Sequence, residues 1–587
     1  MTPCMGRLRR AVASTLAATT CLFVSGCVSI PHSSPISQGR AVGVQGEPQH
    51  VTNDPPGPQP GASALIIAQG FFAAMLAYPQ TVTTAREYLT SRAAAHWDPG
   101  ASVVVYDNLS AVEGEGGVTV SADALGRVDK RGSWSSVASQ QSQLAIRLRL
   151  ARVDGEWRIV NPPSGLYVDT DYFDSNYEHF SLYFYDPSRA VLAADPVYLV
   201  DDNTAATALV SDLVQGPTAS LRGAVTTAVP RETKIDVAVS TSPSGLAEVP
   251  LSDDILKLSP EDRQLFAAQL AWTLKQLAEI HSVSISVGGG NVEIPGFGSV
   301  FGVEEFPGYD PAGLTGERRL FALGAKGLVA VSPDGQSPVV EDAPFARRAR
   351  SAAIDTKGAL AAFVSSDGKS VVVSSIPSGD DGEGGAWVQG ATALLRPSWD
   401  FRGVLWVVDR TATGSRVYVA TAAGQRSVRA PGLSGADIVS FGVSRDGVRF
   451  AAVVRDGKAT RLVISVIHRD PQLPARVGLG PARTVLLSGP RLDDMAQLAW
   501  VSPTAVVMLA NAEGAERQPW EVEIDGADAT DVGQFLQSRP ISLAAAASID
   551  APIAVGARGG RLYLQEPDLQ WLQVGAGTAL RMPVYAG

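Results

Sequence analysis

Apolar and polar positions follow different rhythms along the chain, and the changes of rhythm divide it. Arg7, Arg9 and Arg10 precede a mostly apolar run from Ala11 to Val24, which ends at Val24-Ser25-Gly26-Cys27. The run is shorter than the roughly 20 apolar residues a membrane-spanning helix needs. From Pro31 to Gly61 apolar periodicity is absent, and Pro, Gly, Ser and Gln dominate in stretches such as Asp54-Pro55-Pro56-Gly57-Pro58-Gln59-Pro60-Gly61. Such a segment reads as a tether without a core, spanning roughly 30 Å as a coil and at most ~90 Å when stretched. Residues 27–61 are assigned to it.

Helical spacing begins with Leu65, Ile66, Phe71, Phe72, Met75 and Leu76, and Tyr78-Pro79 stops it. Thr84 to Leu89 predicts a second short helix. Strand-like runs follow at Val103 to Tyr106, Val118 to Val120, Leu144 to Leu150 and Trp157 to Val160, with Asp154-Gly155 as the turn of a hairpin. Residues 62–179 therefore form a first α+β domain. In a second, residues 180–305, Asn203 or Thr204 caps a helix carrying Ala206, Leu209, Val210 and Leu213, which Gly216-Pro217 ends. Ile235, Val237 and Val239 alternate as a half-buried strand, Ser242 to Gly245 turn, and Ala247, Val249 and Leu251 alternate back. Ser259-Pro260-Glu261-Asp262 supplies an N-cap, a first-turn proline and two acids suited to the positive end of a helix dipole. That helix is expected to place Phe266, Leu270, Leu274, Leu277 and His281 along one side. Val283, Ile285 and Val287 then make a last strand, halted by Gly288-Gly289-Gly290.

From residue 316 to 587 short β signals alternate with turns, and a repeat emerges. Ile354-Asp355-Thr356-Lys357-Gly358, Trp399-Asp400-Phe401-Arg402-Gly403 and Val443-Ser444-Arg445-Asp446-Gly447 each precede an apolar strand, and looser copies start at Trp500 and Ile549. The starts lie 45, 44, 57 and 49 residues apart, near the period of four-stranded propeller blades. Repeats of this size cannot bury their faces alone, so ring closure is expected. Five blades are visible, and a sixth combines Arg318 to Val340 with Pro583-Val584-Tyr585 at the end of the chain. The fold class is thus multidomain: two small α+β domains followed by an all-β propeller of six blades.

Charge and chemistry narrow the function. A net charge of −11 argues against nucleic acid, which wants a concentrated basic face. The six histidines (His32, His50, His96, His179, His281, His468) are scattered, without the i, i+4 pair of a zinc helix. Cys4, Cys21 and Cys27 all lie near the start, so sulfur ligation and thiol catalysis within the folded domains are excluded. Ser366-Asp367-Gly368-Lys369 has the Ser-x-x-Lys spacing of penicillin-binding enzymes but reads as a hairpin tip, and no Lys-Thr-Gly accompanies it. Gly288-Gly289-Gly290 follows a strand with no helix behind it, unlike a phosphate loop. Trp399 and Trp406 read as packing between blades, and Asp380-Asp381-Gly382-Glu383 as a solvated loop rather than a calcium site. No catalytic residue, metal or cofactor is expected, and the protein is read as not an enzyme.

Val24-Ser25-Gly26-Cys27, after a basic and then an apolar stretch, resembles the bacterial lipobox. The resemblance implies that residues 1–26 are a signal peptide and that Cys27 carries S-diacylglyceryl and N-acyl chains. Anchoring would then be to the extracytoplasmic face of the cell membrane, and would need more than one acyl chain to be stable. Helices followed by a curved sheet, with Asp154-Gly155-Glu156-Trp157-Arg158-Ile159 as closing hairpin, make the first domain similar to the ketosteroid isomerase-like cone. Leu213-Val214-Gln215-Gly216-Pro217, Ile235-Asp236-Val237 and Val283-Ser284-Ile285-Ser286-Val287 look like the GerMN module, and Val443 to Gly447 resembles the Ser-Pro-Asp-Gly turns of TolB-like blades. With Ala85 to Thr90 and Trp97-Asp98-Pro99, this order of parts resembles the LpqB family of actinobacterial lipoproteins. That resemblance implies an accessory role in the MtrAB two-component system: contact with the extracytoplasmic domain of an MtrB-like sensor histidine kinase, with effects on cell-wall homeostasis and division. The alternative is a cell-envelope protein that binds a glycan, peptide or lipid precursor without touching the kinase.

Overall fold

The computed structural model describes residues 52–138, 142–312, 319–332, 339–341, 343–376, 384–473, 475–512, 514–533, 536, 538–546, 551–575 and 579–587. From Thr52 to Gly587 the chain forms one compact unit. Cys27, Ile549 and the Asp380 to Glu383 stretch lie outside the described residues.

The first helix, α1 (Ala64–Ala73), starts where Ser63 accepts a hydrogen bond from the Ile66 amide, and it buries Ile67, Ala68, Phe71 and Phe72. Short helices α2 (Thr83–Glu87) and α3 (Ser91–His96) follow. Two long antiparallel strands, β1 (Ser102–Gly114) and β2 (Gly117–Asp129), form the centre of the sheet. Strands β3 (Trp134–Ser136) and β4 (Gln143–Leu148) both pair with β2. The hairpin of β5 (Leu150–Val153) and β6 (Glu156–Ile159) turns at Asp154 and Gly155, both at positive φ, as a type I′ turn requires. Strand β7 (Leu166–Asp169) returns parallel to β1, and α4 (Thr170–Asn176) leads out of the domain. Both β1 and β2 run well beyond the short apolar segments expected. The extra half of β1 is mostly exposed, so its ladder rests on backbone pairing that leaves no apolar pattern.

The tether assigned to residues 27–61 is corrected at its end. Asn53 exchanges backbone hydrogen bonds with Tyr78, Pro55 is buried, the Tyr88 hydroxyl donates to the Pro56 carbonyl, and the Gly61 amide donates to Glu156. A proline-rich strap brings few amides needing partners, so a few side-chain contacts suffice to seat it.

The second domain opens with the hairpin of β8 (Tyr177–Tyr185) and β9 (Leu192–Val200). Helix α5 (Ala205–Val214) follows. A sheet of β10 (Ser240–Thr241), β11 (Leu246–Pro250), β12 (Ser282–Val287), β13 (Gly290–Asn291) and β14 (Val300–Gly302) completes the domain. Helix α6 (Pro260–Leu274) connects the parallel pair β11 and β12, with Ser259 as N-cap and Glu261 and Asp262 in the first turn. It buries Phe266, Leu270 and Leu274 completely. Two expectations fail here. The helix ends at Leu274, and His281 lies exposed beyond a set of turns because its amide pairs with the Gly245 carbonyl. Ile235 to Val239 is not a strand: Ile235 makes one bridge to Leu251, while Val237 is 66% exposed.

Between Leu320 and Val584 the described residues form six sheets of four main strands each, one carrying a fifth. The first sheet takes three strands from its own segment, including β15 (Leu320–Gly324), and its fourth from the far end of the chain, where Arg581–Val584 pairs with β15. That splice closes the ring, and the Gly587 amide donates onward to Ile354 of the next sheet. The repeated turns share one device. An Asp or Ser between the first and second strands folds back onto the amides that follow: Asp355 onto Ala359 and Leu360, Asp400 onto Arg402 and Val404, Ser444 onto Arg449. Trp399 and Trp406 are fully buried.

Asp400 carries the most. Its second oxygen accepts from the Trp406 indole at 3.0 Å and from Arg469 at 2.6 Å, and both Asp400 and Arg469 are buried. Removing one member of a buried pair costs about 3–5 kcal/mol, so Asp400→Ala is expected to lower unfolding free energy by about that amount in chemical denaturation. Asp367→Ala, on an exposed turn, should lower it by about 1 kcal/mol or less. Equal effects of the two would contradict this account of the turns.

Candidate functional site

Among the described residues, those weighed from sequence do not converge; His32 and His50 lie outside the described residues. His96 caps α3 against the Arg92 carbonyl, His281 is exposed, His468 contacts the Gly223 carbonyl, and His179 lies on β8. Among the described residues no group of three or more His, Cys, Asp or Glu side chains is arranged to hold a metal ion. Ser366 to Lys369 is a turn in which Ser365 and Asp367 bind each other and the Lys369 amide. Gly288 and Gly289, at φ +57° and +82°, turn β12 into β13.

Two other places gather chemistry. The first is the axis of the propeller, where the innermost strands are linked across the ring by Ser398 accepting from the Val443 amide and Ser440 from the Leu498 amide. They surround a cavity of about 280 Å³. Arg350, Arg396 and Arg445 line it, with no Asp or Glu side chain among the described residues of its walls. Arg396 donates across the ring to the Leu543 carbonyl at 2.9 Å, and burial pushes its guanidinium down to about 10. Trp500 lines the same space, and its buried indole N–H has no hydrogen-bond partner. Donors of this kind suit an anionic or carbonyl-rich group.

The second place is the junction at which the α+β domains rest on the propeller. Arg449, at the start of a strand that runs on through the apolar Phe450 to Val454, is buried there; it lies 3.6 Å from the buried Asp446 carboxylate and donates to the Ala194 carbonyl at the far side of the junction. Burial lowers the arginine's pKa and raises the aspartate's, each opposed by the partner's charge. Ala193, Leu221 and Ala224 pack on Val448 around this pair. The first domain is seated by Ser136, which accepts from the Trp134 indole and Ser488 and donates to the Gly526 carbonyl. Arg131 reaches the second domain, binding the carbonyls of Asp212 and Gly216. The sequence signal for this pair is a charged residue directly before the apolar run Phe450 to Val454, three residues after the turn's Asp446.

Carboxyls crowd the same junction. Burial, with Asp525 and Glu521 nearby, pushes Glu523 up to about 8, and burial pushes Asp525 up to about 6. Both folded values exceed the unfolded ones of roughly 4. The folded state therefore keeps protons that the unfolded chain has released, and the associated stability, complete below about pH 4, is lost as pH rises through 6 to 8. The thermal midpoint should fall between pH 5 and 8.5 in differential scanning fluorimetry, and Glu523→Gln should flatten that fall. A wild-type midpoint that rises across the window would contradict the assignment.

Residues 57–174 match the lipoprotein LpqB N-terminal domain, residues 181–293 the sporulation and spore germination (Germane) domain, and residues 326–586 the lipoprotein LpqB beta-propeller domain. The lipoprotein LpqB of Thermobifida fusca (strain YX) is 27% identical over 650 aligned positions, covering 99% of this chain and 100% of its own. That of Streptomyces coelicolor is 28% identical, covering 99% of each. Among solved structures, the first GerMN domain of the sporulation protein GerM from Bacillus subtilis is 25% identical over 21% of this chain and 92% of its own, with a TM-score of 0.18. Matched in order along nearly its whole folded length, the chain belongs to the LpqB family of lipoproteins.

Proposed function

We propose that the protein is held at the extracytoplasmic face of the cell membrane by lipid on Cys27, and that its folded body binds and modulates an MtrB-like sensor histidine kinase, affecting cell-wall homeostasis and division. Family membership carries this reading. The lipobox-like Val24 to Cys27 supports the anchor, with residues 1–26 removed and residues 27–51 as the tether. No helix among the described residues is long and apolar enough to cross a membrane. A coil of this length reaches roughly 25–30 Å. Confinement at that distance raises the effective concentration of a membrane-bound partner even where intrinsic affinity is modest. The action proposed is binding without catalysis. The arginine-lined axial cavity favours a second reading, in which an anionic envelope precursor is bound and no kinase is touched.

Replacing Cys27 by alanine is expected to move the protein from the membrane fraction to the soluble fraction, with the acyl mass lost from the N-terminus in mass spectrometry. Unchanged pelleting together with an unacylated wild type would remove the anchor. A form beginning at Thr52 and exported without lipid should still bind the isolated extracytoplasmic domain of the kinase in a calorimetric titration, yet complement a deletion strain poorly. Failure of the folded form to bind would transfer the case to the envelope-ligand reading, and turnover of a cell-wall substrate that one non-disruptive substitution abolishes would overturn both.

A further inference from the structure

Where the three domains meet, a cleft of about 420 Å³ opens beside the Arg449 junction. Its aromatic wall is built from Trp134 of β3, Phe173 of α4, and Tyr177 and Tyr198 of the β8–β9 hairpin. Phe173 stacks on Tyr177 at 4.8 Å, and Trp134 lies 5.4 Å from Phe173 and 5.8 Å from Tyr198. Four carboxylates face this wall from both sides of the domain boundary: Asp174 and Glu178 from α4 and β8, Glu523 and Asp528 from the propeller. No Lys or Arg is among the described residues that line the cleft.

Among the described residues that line the cleft, no cation offsets these carboxyl groups. Burial, with Asp528 opposite, raises the Asp174 pKa, and burial, with Asp525 and Glu521, raises that of Glu523. Two polar atoms inside also lack partners. The half-buried His179 ring, tilted against Tyr198 at 5.2 Å, has Nε2 with no hydrogen bond, and Glu523 Oε2 has none either. Desolvation holds this imidazole neutral, with its pKa lowered to about 4, so it adds no cation to offset the acids. Negative ring faces, carboxylates and an idle imidazole nitrogen together describe a receptor for a positively charged donor. The side chains are not grouped as metal ligands are, and the aromatic wall offers cover for methylene groups, which a bare ion does not have.

We propose that this cleft binds an organic cation, an alkylammonium group whose carbon chain lies along the aromatic wall of Trp134, Phe173, Tyr177 and Tyr198 and whose N–H groups are taken by the carboxylates and His179. The group comes either as a free amine or as a lysine side chain of a peptide. Because the cleft is walled by all three domains, its occupant bridges them, which gives a bound cation a direct effect on how firmly they are held together. The site is independent of the kinase reading.

The test is isothermal titration of the Thr52 to Gly587 protein with 1,5-diaminopentane, with an end-blocked Gly-Lys-Gly peptide, and with 1,5-pentanediol as the uncharged control. Binding of the diamine, the peptide or both, at least tenfold tighter than the diol, is expected, and which of the two binds identifies the source. In the double variant Asp174→Asn, Glu178→Gln, both positions being exposed, affinity should fall by tenfold or more with the melting temperature retained. Glu566→Gln, an exposed acid that does not line the cleft, should leave it unchanged. Absence of binding by both cations, diol binding as tight as theirs, or equal affinity in the double variant would overturn the proposal.

Discussion

The architecture depends on a buried guanidinium. Arg449 is drawn out of water 3.6 Å from Asp446, and one arm of its guanidinium reaches the Ala194 carbonyl of another domain while Nη1 is left without a hydrogen bond. An arginine in that position is costly unless its partners are in place, so the contact admits one seating of the β8–β9 hairpin on the propeller and penalises others. The apolar cluster of Ala193, Leu221, Ala224 and Val448 contributes area around it but no direction. Ring closure supplies the other half of the constraint: until Arg581–Val584 pairs with β15, the first sheet lacks its fourth strand and the platform that carries Arg449 is incomplete.

From that seating the two chemically distinctive places follow. The axial cavity belongs to the ring alone, and its arginines are arranged by strands of successive sheets. The acidic and aromatic cleft belongs to no single domain; it exists because Trp134, the β8–β9 hairpin and Glu523 are brought to one point. One face of the chemistry therefore favours anions and the other cations, and a body carrying both is suited to recognition.

Local features were legible in the sequence because local physics sets them. Ser259-Pro260-Glu261-Asp262 begins α6 as its capping chemistry requires, and Asp154-Gly155 adopts the two positive φ values of its turn. The spacing of the Asp-Gly turns disclosed the propeller because each turn closes on its own amides. What failed was set by distant partners. His281 leaves the helix because Gly245 takes its amide, and residues 53–61 are seated by Tyr78, Tyr88 and Glu156. The exposed half of β1 is defined by its pairing with β2. Arg449 takes part of its meaning from Ala194, 255 residues away, and His179 and Glu523 from a cleft that three domains assemble, which no periodicity records.

The claim that most needs measurement is that the three domains form one body rather than beads on a chain. Differential scanning calorimetry of the Thr52 to Gly587 protein addresses it directly. The account predicts one endotherm whose calorimetric and van't Hoff enthalpies agree, and its division into separate transitions when Arg449 is replaced by methionine. Resolved transitions in the wild-type protein, matching those of the variant, would contradict it.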